Sequence, residues 1–190
     1  ATYWNKHHFG TIVTDTAGDN IFDNSPGFRA AVSAHYFAQM VYDYYLTTFG
    51  FNSLSNNGTS MLANVHDSIF TNNAYWDGTS VSFSDGDGVD WRPFCADLDI
   101  VGHEFTHALT QYTAGLLYEY ESGALNESTS DFFGNMIERD NWLLGDEVRI
   151  TAPGFIRSMA EPHRGPGSAR FPFLSYVYVS PPQATPVPHG

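Results

Sequence analysis

The sequence predicts an α+β fold, and two kinds of segment carry that prediction. Met61 to Phe70 and Ala74 to Phe83 read as strands, each bounded by turn residues. Phe28 to Phe49, Asp97 to Gly115 and Leu125 to Arg139 carry helical patterning. Residues 1 to 27 mix aromatic, Thr and Val side chains with Gly, Asn and Asp turns, and are expected to form short strands or irregular structure.

The first helix is apolar almost all round, through Phe28, Val32, Tyr36, Phe37, Met40, Val41, Tyr44 and Tyr45, and is therefore expected to be largely buried. Gly50 follows as its C-cap. Ser53 to Ser60 is a polar loop. The second helix ends at a glycine stop, Gly115. The third carries Glu127 and Asp131 on its inner face. Beyond about residue 152 the composition changes, with eight of the ten prolines between Pro153 and Pro188. Val179 to Pro188 cannot be helical, and an extended or disordered tail is expected.

Composition narrows the class of function. At 190 residues and 42% hydrophobic content the chain can bury a sizeable core. The net charge is −13 and Lys6 is the single lysine, which argues against nucleic acid or an anionic membrane as partner. No apolar run reaches the length of about 18 residues that a spanning helix needs. Ala1-Thr2-Tyr3-Trp4-Asn5 is not a signal peptide, so the chain reads as a processed form or a fragment of an acidic, secreted protein. Cys95 is the single cysteine, so no internal disulfide forms, and it reads as a small apolar side chain before the second helix.

The chemistry is concentrated in His103-Glu104-Phe105-Thr106-His107. A helix turns about 100° per residue, so histidines four apart share one face and can reach one metal ion. Glu104, next to the first, is placed to act on water at that metal. Glu127 in Asn126-Glu127-Ser128-Thr129-Ser130-Asp131 is the candidate third ligand, twenty residues past His107. Asn126 and Asp131 are candidates to bond the outer histidine nitrogens and fix their orientation. Asn126-Glu127-Ser128 is also a formal glycosylation sequon, discounted because a glycan there would block the metal. Asp85-Gly86-Asp87-Gly88 suggests an EF-hand, but Ala96 stands at the twelfth position, so it reads as a turn.

With Asp99-Ile100-Val101-Gly102 before the motif and Glu121 to Glu127 after it, these residues resemble the thermolysin family of zinc metallopeptidases. The likeness also covers Ala30 to Gly50, Asn72-Asn73-Ala74-Tyr75-Trp76, Asp85 to Gly88 and Arg157-Ser158-Met159. It implies a thermolysin-like (zincin) fold: a β-rich N-terminal lobe over residues 1–118, with the helix 28–49 and the active-site helix 97–115. Residues 119–160 would begin a helical C-terminal lobe, left incomplete, and 161–190 would be a divergent Pro-rich tail.

By the same resemblance His103, His107 and Glu127 bind zinc, Glu104 is the general base and Tyr118 steadies the oxyanion. Asn73 and Ala74 would align a peptide by main-chain bonds, and Arg157 would contact a substrate carbonyl, the alternative being a surface ion pair. Trp91, Phe94, Ile100, Leu144, Val148 and Ile156 would line an apolar pocket for the residue after the cleaved bond. Calcium would lie at Asp99, Glu138, Asn141 and Asp146, near the carbonyl of Leu143. The expected partners are a protein or peptide substrate and a propeptide or the remainder of the second lobe. That lobe would carry a further oxyanion histidine, to which neither His163 nor His189 corresponds. The implied function is a zinc endopeptidase; the alternative is a weak or inactive zinc-binding interaction module.

Overall fold

Five strands and three helices position the metal motif. The structure, a computed structural model, describes residues 2–4, 11–12 and 26–164. The Pro-rich tail expected beyond residue 164 lies outside them. The strands β1 (Thr2–Trp4), β2 (Thr11–Ile12), β3 (Ala63–Asp67), β4 (Ala74–Trp76) and β5 (Val81–Ser84) form one sheet in the order β2-β1-β3-β5-β4. β1 and β5 run parallel to β3, while β2 and β4 pair antiparallel with β1 and β5. A small hairpin of β6 (Leu143–Leu144) and β7 (Arg157–Ser158) follows the helices.

The segment expected as one strand from Ala74 to Phe83 is a hairpin of two. Asp77 accepts from the backbone N–H groups of Thr79 and Ser80 at 2.7 and 2.8 Å, and Gly78 adopts φ +97°. The turn signal is Asp77-Gly78, a pair that allows the positive φ a tight hairpin requires. The strand expected over Met61 to Phe70 is shorter at both ends. A register shift lies between Val65 and Asp67, where His66 has φ 60°, and pairing with β5 ends at Asp67.

Helix α1 (Pro26–Phe49) ends with Gly50 at φ 67°, as its sequence indicates. It is not largely buried. Ala30, Ala31, Ala34, Val41 and Tyr45 face the core, whereas Tyr36 is 61% and Phe49 57% exposed. Small residues on the inner stripe let the helix lie close to β3, which leaves its larger aromatics outside. Tyr45 Oη and Thr106 Oγ1, 2.8 Å apart, tie this helix to α2 in the interior.

Helix α2 (Leu98–Tyr112) is capped by Asp97, whose carboxylate accepts from Asp99 N at 3.2 Å. Helix α3 (Tyr120–Glu138) starts five residues earlier than its apolar pattern suggests and ends with Arg139 in the left-handed region at φ 67°. The Asp85–Gly88 segment is the expected turn, with Asp87 Oδ1 accepting from Val89, Asp90 and Trp91 N–H groups. Those bonds are the main reason its carboxyl is lowered to about 2. Cys95 is buried, and burial pushes its thiol up to about 12.

Helices α2 and α3 cross at Gly102 and Gly134. A Cβ on Gly134 would lie 2.5 Å from the carbonyl oxygen of Asp99, and one on Gly102 3.2 Å from Gly134 Cα. Gly134→Ala should therefore destabilise the fold by about 1–3 kcal/mol, despite alanine's better helix propensity, because a backbone oxygen cannot move aside. Urea unfolding checks this, and an unchanged or raised midpoint would disprove it.

Candidate metal centre and cleft

The glycine crossing brings α3 side chains onto the motif face of α2. His103, Glu104 and His107 are all buried. His103 Nε2 and His107 Nε2 face each other 3.0 Å apart. Glu127 completes the group, with Oε2 at 3.5 Å from His103 Nε2 and Oε1 at 3.4 Å from His107 Nε2. Ligand atoms about 2.0–2.1 Å from a tetrahedral zinc stand about 3.3 Å apart, so this donor set fits one such ion. Both imidazoles turn their outer nitrogens to fixed oxygens, the arrangement that holds a ligating histidine in one orientation.

Those oxygens are the ones the sequence names. Asn126 Oδ1 lies 2.8 Å from His107 Nδ1, and Asp131 Oδ1 lies at ion-pair distance, 2.7 Å, from His103 Nδ1. Ser130 Oγ, 3.1 Å from His107 Nδ1, is a further contact that sequence reasoning missed. Its signal is the helical spacing of Asn126 and Ser130, which puts both on one side of α3. The buried Asn126 is not open to glycosylation.

Arg157 is not the surface ion pair that was the alternative expectation. It grips Asp131 through Nε and Nη2, each at 2.7 Å, with Asp131 nearly fully buried. Its partner is buried rather than at the surface, and Arg157 itself lines the cleft. Burial acts to raise the Asp131 carboxyl, but the Arg157 and His103 charges outweigh it and hold it at about 2. Burial raises Glu104 from its ordinary value, against the lowering pull of the two histidines.

The motif forms the floor of a cleft of about 850 Å³. Asn73 and Ala74, at the start of the outer strand β4, line it, and so does Tyr118. Asn73 N and O are both engaged with Ser84. The Tyr118 hydroxyl donates to Glu127 Oε1, and its ring lies 5.7 Å from that of His107. Trp91, Phe94, Ile100 and Ile156 supply the apolar wall. Leu144 and Val148 do not line it; both are packed fully inside. Gln111 also lines the cleft and accepts from Trp76 Nε1 at 2.8 Å, which ties α2 to β4.

A second acidic group sits at the start of α2. Asp97, Asp99 and Asp146 bring carboxylate oxygens within 4.8 Å of one another. Asp99 and Asp146 were expected; Asp97 was not, although its spacing of two from Asp99 places it at the cap. Asn141 donates its amide to Asp146 at 3.0 Å, and its oxygen accepts from Leu143 N. Glu138 acts on the group through charge: burial, then Asp97 and the neighbouring acids, push it up to about 8. Desolvation and the Asp97 charge likewise raise Asp99 well above its ordinary value.

Comparison with known proteins agrees with this geometry. The profile described as thermolysin metallopeptidase, catalytic domain, matches residues 1–111, and that of the family's alpha-helical domain matches 114–176. Bacillolysin from Brevibacillus brevis is 45% identical over 157 residues, covering 80% of this chain and 28% of its own length. Neutral protease B from Bacillus subtilis (strain 168) is 47% identical over 152 residues, covering 78% and 27%. The chain thus spans just over a quarter of the length of these relatives. The solved precursor of protealysin, a metalloproteinase from Serratia proteamaculans, superposes with a TM-score of 0.74 at 30% identity, over 83% of this chain and 52% of that one. The α+β arrangement is therefore thermolysin-like with part of the second lobe, and the chain belongs to the thermolysin family of metallopeptidases.

Proposed function

We propose that the chain is a zinc-dependent endopeptidase that hydrolyses protein substrates outside the cell, with a large apolar residue preferred just after the scissile bond. The convergence of His103 Nε2, His107 Nε2 and the Glu127 carboxylate beside buried Glu104 carries this reading. The apolar wall of Trp91, Phe94, Ile100 and Ile156 supports the preference.

Zinc held by this group supplies Lewis acidity and lowers the pKa of water toward about 7. Glu104 takes the proton of the attacking water and returns it to the leaving amine. The Tyr118 hydroxyl donates to the oxygen that gains charge. β4 aligns the substrate backbone along Asn73 and Ala74. Arg157 acts through Asp131, whose charge it neutralises while Asp131 orients His103.

Calcium at Asp97, Asp99 and Asp146, beside Glu138, would offset the desolvation and the mutual repulsion that raise Asp97, Asp99 and Glu138. Asp146 Oδ1 is buried without a hydrogen-bond partner, which suits a cation ligand. A propeptide or the remainder of the helical lobe would cover the outer side of α3, where Leu125 is 55% and Phe132 41% exposed. No helix of the described residues is long and apolar enough to cross a membrane.

Refolded with excess zinc and dialysed, the chain should retain one zinc, and Glu127→Ala should lose it; wild-type content well below one would refute the site. Glu104→Gln should keep the metal and lose casein hydrolysis by at least about 10². A variant as active as the wild type would remove Glu104 from its role. Arg157→Met should weaken zinc affinity about 10–100-fold, read by competition with a chromogenic chelator, since Asp131 then loses its anchor. Calcium at about 100 times its dissociation constant should stabilise by about 2.7 kcal/mol, an increment that Asp99→Asn abolishes. Thermal unfolding with EGTA and with added calcium reads that increment, and identical midpoints in the wild type would count against the cation.

A further inference from the structure

The apolar wall of the cleft is graded. Ile100 and Phe94 are buried at 4% and 5% exposure, whereas Trp91 is half-buried. Ile100 lies about one helical turn from His103, and the Trp91 ring stacks on Phe94 with centroids 5.4 Å apart. The wall thus runs outward from the metal group to Trp91. There a cation joins it: the Arg149 guanidinium stands 4.2 Å from the centre of the Trp91 ring. Backbone pairing fixes this neighbourhood. Trp91 and Arg149 form an antiparallel bridge, flanked by Arg92 N donating to Val148 O and Ile150 N donating to Asp90 O, each at 2.9 Å.

The charge of Arg149 is unanswered within the chain. Among the described residues no carboxylate stands at ion-pair distance from it, and its Nε is buried without a hydrogen-bond partner. The other described arginines are committed or remote. Arg157 holds Asp131, Arg164 pairs with Glu161, Arg92 donates to the Glu147 carbonyl and Arg139 to the Met136 carbonyl. Arg29 sits on α1, away from the cleft lining. The acids beside Trp91 are taken as well: Asp90 accepts from Thr151 Oγ1 at 2.6 Å, and Asp87 from three backbone N–H groups. A cation–π contact satisfies the face of a guanidinium and leaves its in-plane N–H donors for an anion.

We propose that Arg149 is a specificity-determining residue that takes a substrate carboxylate, an acidic side chain or a chain terminus, at the second or third residue after the scissile bond. The site rests on the peptidase reading above, in which the residue just after that bond sits against the apolar wall. An extended peptide advances about 3.3 Å per residue, so the residues that follow pass the outer wall at Trp91. A carboxylate there meets the guanidinium in the two-pronged geometry that arginine favours. Stacking on Trp91 holds the guanidinium in place beforehand, so little side-chain freedom is lost on binding. A chain of net charge −13 repels anionic substrates at long range, and Arg149 offsets that repulsion beside the cleft.

The test measures peptide binding to the full zinc-loaded Glu104→Gln chain by calorimetry. All peptides carry leucine just after the susceptible bond. One has glutamate at the next two positions and an amidated end, a second has glutamine there and an amidated end, and a third has glutamine there and a free terminal carboxylate. The glutamate peptide, the free-carboxylate peptide or both should bind about fivefold tighter than the amidated glutamine peptide at low salt, and the two distinguish a side chain from a terminus as the source. The margin should shrink in about 0.5 M sodium chloride, vanish in Arg149→Met and persist in part in Arg149→Lys. Equal affinities for all three peptides, which need no variant to measure, overturn the site, as does a margin that survives Arg149→Met. If the wild-type chain hydrolyses casein but the margin is absent, the specificity proposal alone falls. If the wild-type chain cleaves nothing while the margin depends on Arg149, the peptidase reading falls and the carboxylate site stands. If no peptide binds and none is cleaved, both fall.

Discussion

The close approach of two glycines sets the geometry of everything else. Gly102 and Gly134 let α2 and α3 meet backbone to backbone. Only at that separation can Glu127 and Asp131 from one helix reach His103 and His107 on the other. The crossing lies within one turn of His103, so an added methyl would displace the ligand set directly. Thr106 extends the constraint outward through its contact with Tyr45 of α1. The metal group thus rests on three helices that are packed around one short stretch of α2.

Charge is balanced locally rather than over the whole acidic chain. At the metal group, Arg157 offsets Asp131, and burial keeps both partners in register with His103. Removing either would strand a desolvated charge, which costs more than the pair gains. At the start of α2 no such cation is present among the described side chains, and several acids lie together. The same helix therefore carries a compensated group at its centre and a strained acidic one at its start. A divalent cation is the simplest chemical complement to the latter.

The cleft depends on a weaker join. β4 is an outer strand, three residues long, and it reaches α2 through Trp76 and Gln111. Strands this short owe their position to side-chain anchors as much as to the ladder. The rim that would align a substrate is accordingly less constrained than the floor that would hold the metal.

Much of the site was legible in the sequence because its parts are local. His103, Glu104 and His107 share one helix, and so do Asn126, Glu127 and Asp131; helical periodicity alone puts each set on one face. The α1 cap at Gly50 and the Asp87 turn follow from backbone chemistry within four residues. What only the tertiary structure decided involves partners far apart along the chain: Arg157 with Asp131, Gln111 with Trp76, and Asp97 with Asp146. The exposed aromatics of α1 and the burial of Leu144 and Val148 belong there too, since hydrophobic patterning names apolar side chains but not which neighbour covers them. Local spacing determined which groups could act together on one element; the packing of α3 across Gly102 determined that they do, because close approach depends on the absence of side chains at two positions thirty-two residues apart.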